Sequence, residues 1–254
     1  FLGSAARKFA VDKDPKVEEI LAVLPGANCG ACGFPGCSGL AAAIVKGEAA
    51  VNACKAGGAS VAEQVADIMG VESSTDDRQV ARLLCRGGYK QVVYRAEYVG
   101  LTDCRSAKAF GCGGKACTFG CLGLGNCARA CPFGAITMGE DNLPVIDPDV
   151  CTGCGVCVQT CPQSVLALVP AKNKVFVACS STVPGREVRK VCQVGCIACR
   201  ICEKTCEYDA IHVENNLAKI DYSKCTNCGR CAEKCPQKII INENTTPKVQ
   251  TAAI

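Results

Sequence analysis

The chain of 254 residues carries 25 cysteines and 26 glycines, one histidine and no tryptophan, and aromatics make up 5% of it. That leaves too few large apolar side chains for an ordinary core of this length, so bound inorganic centres are expected to help hold the fold. The formal charge is +4, but cluster-bound thiolates would turn the balance acidic and there is no Lys/Arg stripe interleaved with aromatics, which argues against nucleic-acid binding, and the odd cysteine count and the CxxC runs argue against a secreted disulfide scaffold.

Phe1 to Ala10 (FLGSAARKFA) reads as an apolar end followed by Arg7 and Lys8. A bilayer takes about twenty residues to span, so the segment is either a flexible terminus or the cytoplasmic flank of a membrane helix. No secretory signal is legible in it.

Residues 13 to 70 are predicted to be helical. Asp14 and Pro15 form an N-cap and first-turn pair, and Val17, Ile20, Leu21 and Leu24 follow at helical spacing. Pro25 and Gly26 stop this helix. A second is expected from about Ser38 to Lys46, ending at Gly47, and a third from the capping box Ser60-x-x-Glu63 to Gly70. The polar stretch Glu72 to Arg78 is the clearest linker. Beyond it the pattern turns to short β-type runs such as Gln91 to Val99.

An internal repeat follows. Cys131 to Cys161 and Cys206 to Cys235 share Ala-Ile after the first cysteine, an apolar strand ending in Ile-Asp, and then CxxCxxCxxxC. This is the middle of a bacterial-type two-cluster ferredoxin, in which each [4Fe–4S] cubane takes three cysteines from one run and its fourth from the other. The fold class expected is α+β: a small helical [4Fe–4S] domain (13–72) followed by two tandem two-cluster ferredoxin modules (79–175 and 176–242), with residues 1–12 and 243–254 as flank and tail.

In the last module Cys196, Cys199, Cys202 and Cys235 are expected to hold one cluster, and Cys206, Cys225, Cys228 and Cys231 another. In the preceding module Cys131, Cys151, Cys154 and Cys157 form a regular set. Its first run is irregular, and Cys117, Cys121 and Cys127 are expected to pair with Cys161. Glu207 stands where the motif has proline after the fourth cysteine and would lower a nearby potential if its charge is close. In the helical domain Cys29, Cys32, Cys37 and Cys54, spaced CxxCx4Cx16C, should hold a cluster locally. Zinc ribbons are the competing reading, but they use two CxxC pairs per metal, whereas three cysteines at two-residue intervals suit a cubane.

Cys85, Cys104, Cys112, Cys179 and Cys192 are left over. Cys85, Cys104, Cys179 and Cys192 are expected to bind a sixth cluster, with Cys112 unliganded; buried free thiols are the alternative. Six clusters would take the formal charge from +4 to about −8. A Rieske centre needs two histidines and only His212 is present, expected as a strand residue beside a cluster. Neither a strand-to-helix GxGxxG nor a P-loop occurs, so no nucleotide binding and no independent catalytic site are expected. Such a chain conducts electrons between partners.

The order CGACGFPGC with a distant Cys54, then GCLGLGNCARACPFGAI, then VCQVGCIACRICEKTC resembles the B subunit of Rnf complexes over nearly the whole chain. The resemblance implies an electron-transfer subunit of a membrane-bound, ion-translocating ferredoxin:NAD oxidoreductase. It also implies reduced ferredoxin as donor, membrane and flavin-carrying subunits as acceptors, and a place on the cytoplasmic face of the bacterial cell membrane, anchored by an N-terminal helix missing from this sequence. The second reading is a soluble polyferredoxin serving a hydrogenase or reductase, which the tandem modules alone would allow.

Overall fold

The structure, a computed structural model, describes residues 14–72 and 77–245. Phe1 to Ala10 lies outside the described residues. The chain divides at Asp77/Arg78 into two compact units, and its described elements mix short helices and strands.

The first unit is helical. Helix α1 (Pro15–Val23) starts where the Asp14 carboxylate accepts the Lys16 amide at 2.9 Å and Pro15 occupies the first turn. Ile20 and Leu24 are buried against Leu40, Ala41 and Ile44 of α2 (Gly36–Val45) and Val65 of α3 (Gly58–Met69), whereas Leu21 is exposed. The expected capping box does not form. Gly58, at φ +64°, turns the chain into α3 earlier, so Ser60 is already inside the helix and its hydroxyl accepts from the Gln64 side chain instead. Gly70, at φ +71°, closes α3.

The second unit is built twice over. In the first repeat, β1 (Gln79–Leu83) pairs antiparallel with β4 (Leu166–Pro170) and brackets a hairpin of β2 (Ile136–Met138) and β3 (Pro144–Ile146). In the second, β5 (Val175–Val177) pairs with β8 (Ile240–Asn242) around the hairpin of β6 (Ile211–Glu214) and β7 (Leu217–Ile220). The two hairpins end alike: Asp147 N–H donates to Ala135 C=O and Asp221 N–H to Ala210 C=O, both at 2.8 Å, and each aspartate carbonyl then accepts the amide of Cys151 or Cys225. Four short helices follow the cysteine loops: α5 (Asn126–Arg129), α6 (Val156–Thr160), α8 (Ile201–Thr205) and α9 (Arg230–Lys234). Each is entered through a left-handed residue, Gly125, Gly155, Arg200 or Gly229. Two more helices, α4 (Cys104–Ala109) and α7 (Gly185–Val191), lie in the segments that follow β1 and β5.

Gln91 to Val99 forms no strand. Its pairing stops at isolated bridges from Val92 to Cys192 and from Tyr94 to Lys115, because the neighbouring chain carries Gly111, Gly113 and Gly114 at positive φ and cannot extend a ladder.

Candidate metal centres

In the helical unit, Asn28 organises the loop between α1 and α2. Its side-chain oxygen accepts the Cys37 amide at 2.8 Å, and a Cβ on Gly36 would come within 2.8 Å of that oxygen, so only glycine fits there. Cys29, Cys32, Cys37 and Cys54 line one cavity. Burial pushes the Cys54 thiol up, and the Cys37, Cys32 and Cys29 sulfurs add to the shift.

In the second repeat, Cys196, Cys199, Cys202 and Cys235 line a common cavity. Burial, then Cys196, Cys199 and Cys235, pushes Cys202 up to about 11. The next set is marked by Cys231, raised to about 12 by burial and then by Cys225, Cys228, Cys202 and Cys206. In the first repeat Cys157 is likewise raised to about 12 by burial and then by Cys151, Cys154, Cys127 and Cys131. Two expected sets, those of Cys29 and Cys196, thus each line one cavity, the cysteines expected with Cys231 and with Cys157 are among those that act on these two thiols, and Glu207 is paired with the Arg230 guanidinium rather than left as a lone charge. His212 in β6 lies beside Asp209 and Glu203 and does not line the cavities that hold Cys29, Cys85, Cys121 or Cys196.

Two expected sets exchange a member. Cys104, rather than Cys117, joins Cys121, Cys127 and Cys161 around one cavity. Cys117 joins Cys85, Cys179 and Cys192 around another. The reason is a latch. Asp103 caps α4, accepting the Ser106 amide at 2.7 Å and hydroxyl at 2.8 Å, and also accepts the Asn126 side-chain NH2 at 2.6 Å, while Asn126 Oδ1 accepts the Cys104 amide at 3.0 Å. Cys104 is thereby held beside Cys127, where the widened CLGLGNC run has no middle cysteine. A sequence signal for the exchange was present: Cys117 to Cys121 (CTFGC) matches Cys192 to Cys196 (CQVGC) in spacing and in its glycine. Both repeats therefore contribute the same two positions, Cys85 with Cys117 and Cys179 with Cys192, to the site between them. Cys112 lines none of these four cavities; its thiol donates to Thr118 C=O and accepts from Gln163, both at 3.9 Å.

Backbone amides point at these sulfurs. Ala81 N–H donates to Cys151 Sγ and Ala210 N–H to Cys206 Sγ, both at 3.4 Å. Two such bonds run between sites: Cys121 N–H donates to Cys85 Sγ at 3.3 Å, and Cys196 N–H to Cys179 Sγ at 3.4 Å. Burial raises Cys85 and Cys192, and lifts Cys121 to about 12 and Cys127 and Cys179 to about 11. A thiol so raised stays protonated at neutral pH until a metal displaces the proton.

The donor sets fit an iron–sulfur cubane and not zinc. All are sulfur-only, and among the described residues no three His, Cys, Asp or Glu side chains converge closely enough to hold a single ion. A mononuclear zinc site draws its thiolates to about 2.3 Å from one centre, whereas a cubane fills the space between four separated sulfurs. Gly195 lets the Cys192–Cys196 loop pack closely, since a Cβ there would come within 2.2 Å of the Val188 side chain.

Comparison with known proteins agrees with this chemistry. An Fe–S cluster family model matches residues 24–56, and a 4Fe-4S dicluster domain model matches residues 116–165 and again 195–239. The B subunit of the Na(+)-translocating ferredoxin:NAD(+) oxidoreductase complex of Acetobacterium woodii is 51% identical over 94% of this chain and 72% of its own length. The chain belongs to the family of Rnf B subunits. Other members are nearly as similar. The B subunit of the ion-translocating oxidoreductase complex of Methanosarcina acetivorans is 44% identical over 93% of this chain and 89% of its own. The B subunit of the proton-translocating ferredoxin:NAD(+) oxidoreductase complex of Clostridium ljungdahlii is 46% identical over 91% and 82%. In this Rnf B subunit no helix among the described residues is long and apolar enough to cross a membrane.

Proposed function

We propose that this Rnf B subunit holds six [4Fe–4S] clusters on 24 of its 25 cysteines and forms the electron path between reduced ferredoxin and the membrane and flavin-carrying subunits of its complex, at the cytoplasmic face of the membrane. Bound clusters supply one-electron carriers. The thiols hold them, the backbone amides stabilise the thiolates, and the apolar side chains around them exclude water.

The observation that carries this reading is the pair of amide-to-sulfur bonds between sites. Through Cys121 to Cys85 and Cys196 to Cys179, the site shared by Cys85, Cys117, Cys179 and Cys192 connects the two repeats, each built as a two-cluster ferredoxin module. A soluble polyferredoxin would need no helical unit with its own thiol site, and the near full-length similarity to other Rnf B subunits supports membership of the complex instead.

Anaerobically reconstituted protein should carry about 24 Fe and 24 acid-labile sulfides per chain; about 20 would remove the sixth cluster, and twelve or fewer would sink the assignment altogether. We place the ferredoxin modules toward the donor and the helical unit toward the membrane. Deleting residues 1–75 should leave reduction by ferredoxin intact and abolish transfer to membrane partners, and loss of reduction itself would reverse that order.

A further inference from the structure

Lys115 lies between the site that joins the repeats and its neighbour in the first repeat. It is 5% exposed. Its ammonium donates to Gly87 C=O at 2.9 Å and to the carbonyl of Cys121 at 2.5 Å. Gly87 in turn is close-packed on the joining site, since a Cβ there would stand 3.3 Å from Cys192 Sγ and 3.8 Å from Cys85 Sγ. Both hydrogen-bond partners of the ammonium are neutral carbonyls, and a buried cation so placed is costly unless negative charge stands nearby.

The internal repeat supplies a control. Lys115 precedes Cys117 by two residues, as Lys190 precedes Cys192. Lys190 occupies the matching position but turns outward, its side chain 63% exposed and paired with Glu187 at 2.9 Å. The inward lysine is therefore peculiar to one half of a duplicated structure.

We propose that Lys115 sets reduction potentials: its buried ammonium raises those of the Cys85/Cys117/Cys179/Cys192 and Cys104/Cys121/Cys127/Cys161 sites, favouring the electron where it crosses between repeats. The physical reason is that a reduced cluster carries one more negative charge than an oxidised one, and a fixed cation in a medium of low dielectric stabilises the more negative form. A cation between the two sites also screens the repulsion between clusters of like charge. This inference rests on the cluster assignment above.

The test is an EPR-monitored redox titration of full-length reconstituted protein carrying Lys115→Met, Lys115→Gln or Lys115→Arg, with iron counted in each. Glutamine removes the charge but can still donate to a carbonyl, and arginine keeps the charge. The potentials of two titrating components should fall in the Met and Gln variants by about 59 mV or more, which for a one-electron couple raises their oxidised-to-reduced ratio at a fixed poise at least tenfold. The Arg variant should keep them near the wild-type value. Unchanged potentials in fully loaded Met and Gln variants would overturn the inference while leaving the cluster assignment standing. So would loss of about eight Fe from the Met variant with iron and potentials unchanged in the Gln variant, since Lys115 would then only hold the loop through its hydrogen bonds. Wild-type protein lacking iron at these two sites would overturn the assignment itself.

Discussion

Arg82 and Glu243 join the first strand of one repeat to the residue after the last strand of the other. Their side chains meet through two oxygens, each 2.7 Å from a guanidinium nitrogen, and Arg82 is 2% exposed with its guanidinium 5.5 Å from the centre of the Phe176 ring. Removing one partner of a buried pair leaves the other uncompensated, so Glu243→Gln and Arg82→Met should each destabilise the second unit. Glu243→Gln carries the larger loss, about 3 kcal/mol, because it leaves the buried Arg82 charge unpaired, whereas Glu243, left alone by Arg82→Met, is partly open to solvent. Denaturant unfolding of loaded protein measures both; equal midpoints in variant and wild type would show that the pair contributes nothing to holding the repeats together.

The exchange of Cys104 and Cys117 can be read from paired substitutions. If Cys104 and Cys161 hold the same cluster, Cys104→Ser combined with Cys161→Ser should cost about four Fe, the same as either alone. Cys117→Ser combined with Cys161→Ser should cost about eight. The reverse pattern would restore the pairing expected from sequence spacing, and Cys112→Ala should cost no iron in either case.

Asn126 is expected to act as the latch that delivers Cys104. Asn126→Leu removes the bonds to Asp103 and to the Cys104 amide and should lose about four Fe while sparing the other sites. The latch is also acid-sensitive. Hydrogen bonds from Asn126 and Ser106 hold the Asp103 carboxyl down at about 2 from its ordinary 3.8. Its stabilising contribution is complete above 3.8 and is lost as pH falls toward 2. In a pH-jump experiment across that window, the Cys104 site should release iron first in wild type. Asp103→Asn, which cannot hold the same charge, should remove that order; simultaneous loss from all sites in both proteins would argue against a separate latch.

The helical unit buries few large side chains, chiefly Ile20, Leu40, Ile44 and Val65, and Leu40 itself lines the thiol cavity, so its helices should depend on the metal. Cys32→Ala is expected to raise amide hydrogen exchange through residues 14–70 and leave the second unit unchanged. Unaltered exchange there would mean that the helices pack without the cluster.

Much of this protein is legible in one dimension because cubane ligation is largely local. CxxC turns place sulfurs on one face wherever they occur, so the cysteines of the regular runs and of the helical domain could be grouped by spacing, and Asp14-Pro15 announced a helix start by its own chemistry. The capping box at Ser60 was overridden by Gly58, whose positive φ is a property of the backbone that the residue pattern does not force. The strand expected at Gln91 to Val99 had the right residues but found only isolated bridges, to Cys192 and Lys115. The exchange of Cys104 for Cys117, whose one trace in the sequence is the matching spacing of CTFGC and CQVGC, and the inward turn of Lys115 where Lys190 faces solvent, were decided by the tertiary structure. Each depends on which chain segments, tens of residues apart, pack side by side: the Asp103–Asn126 latch carries one cysteine across to a distant run, and a pseudo-symmetric pair of insertions closes a site that neither repeat contains by itself.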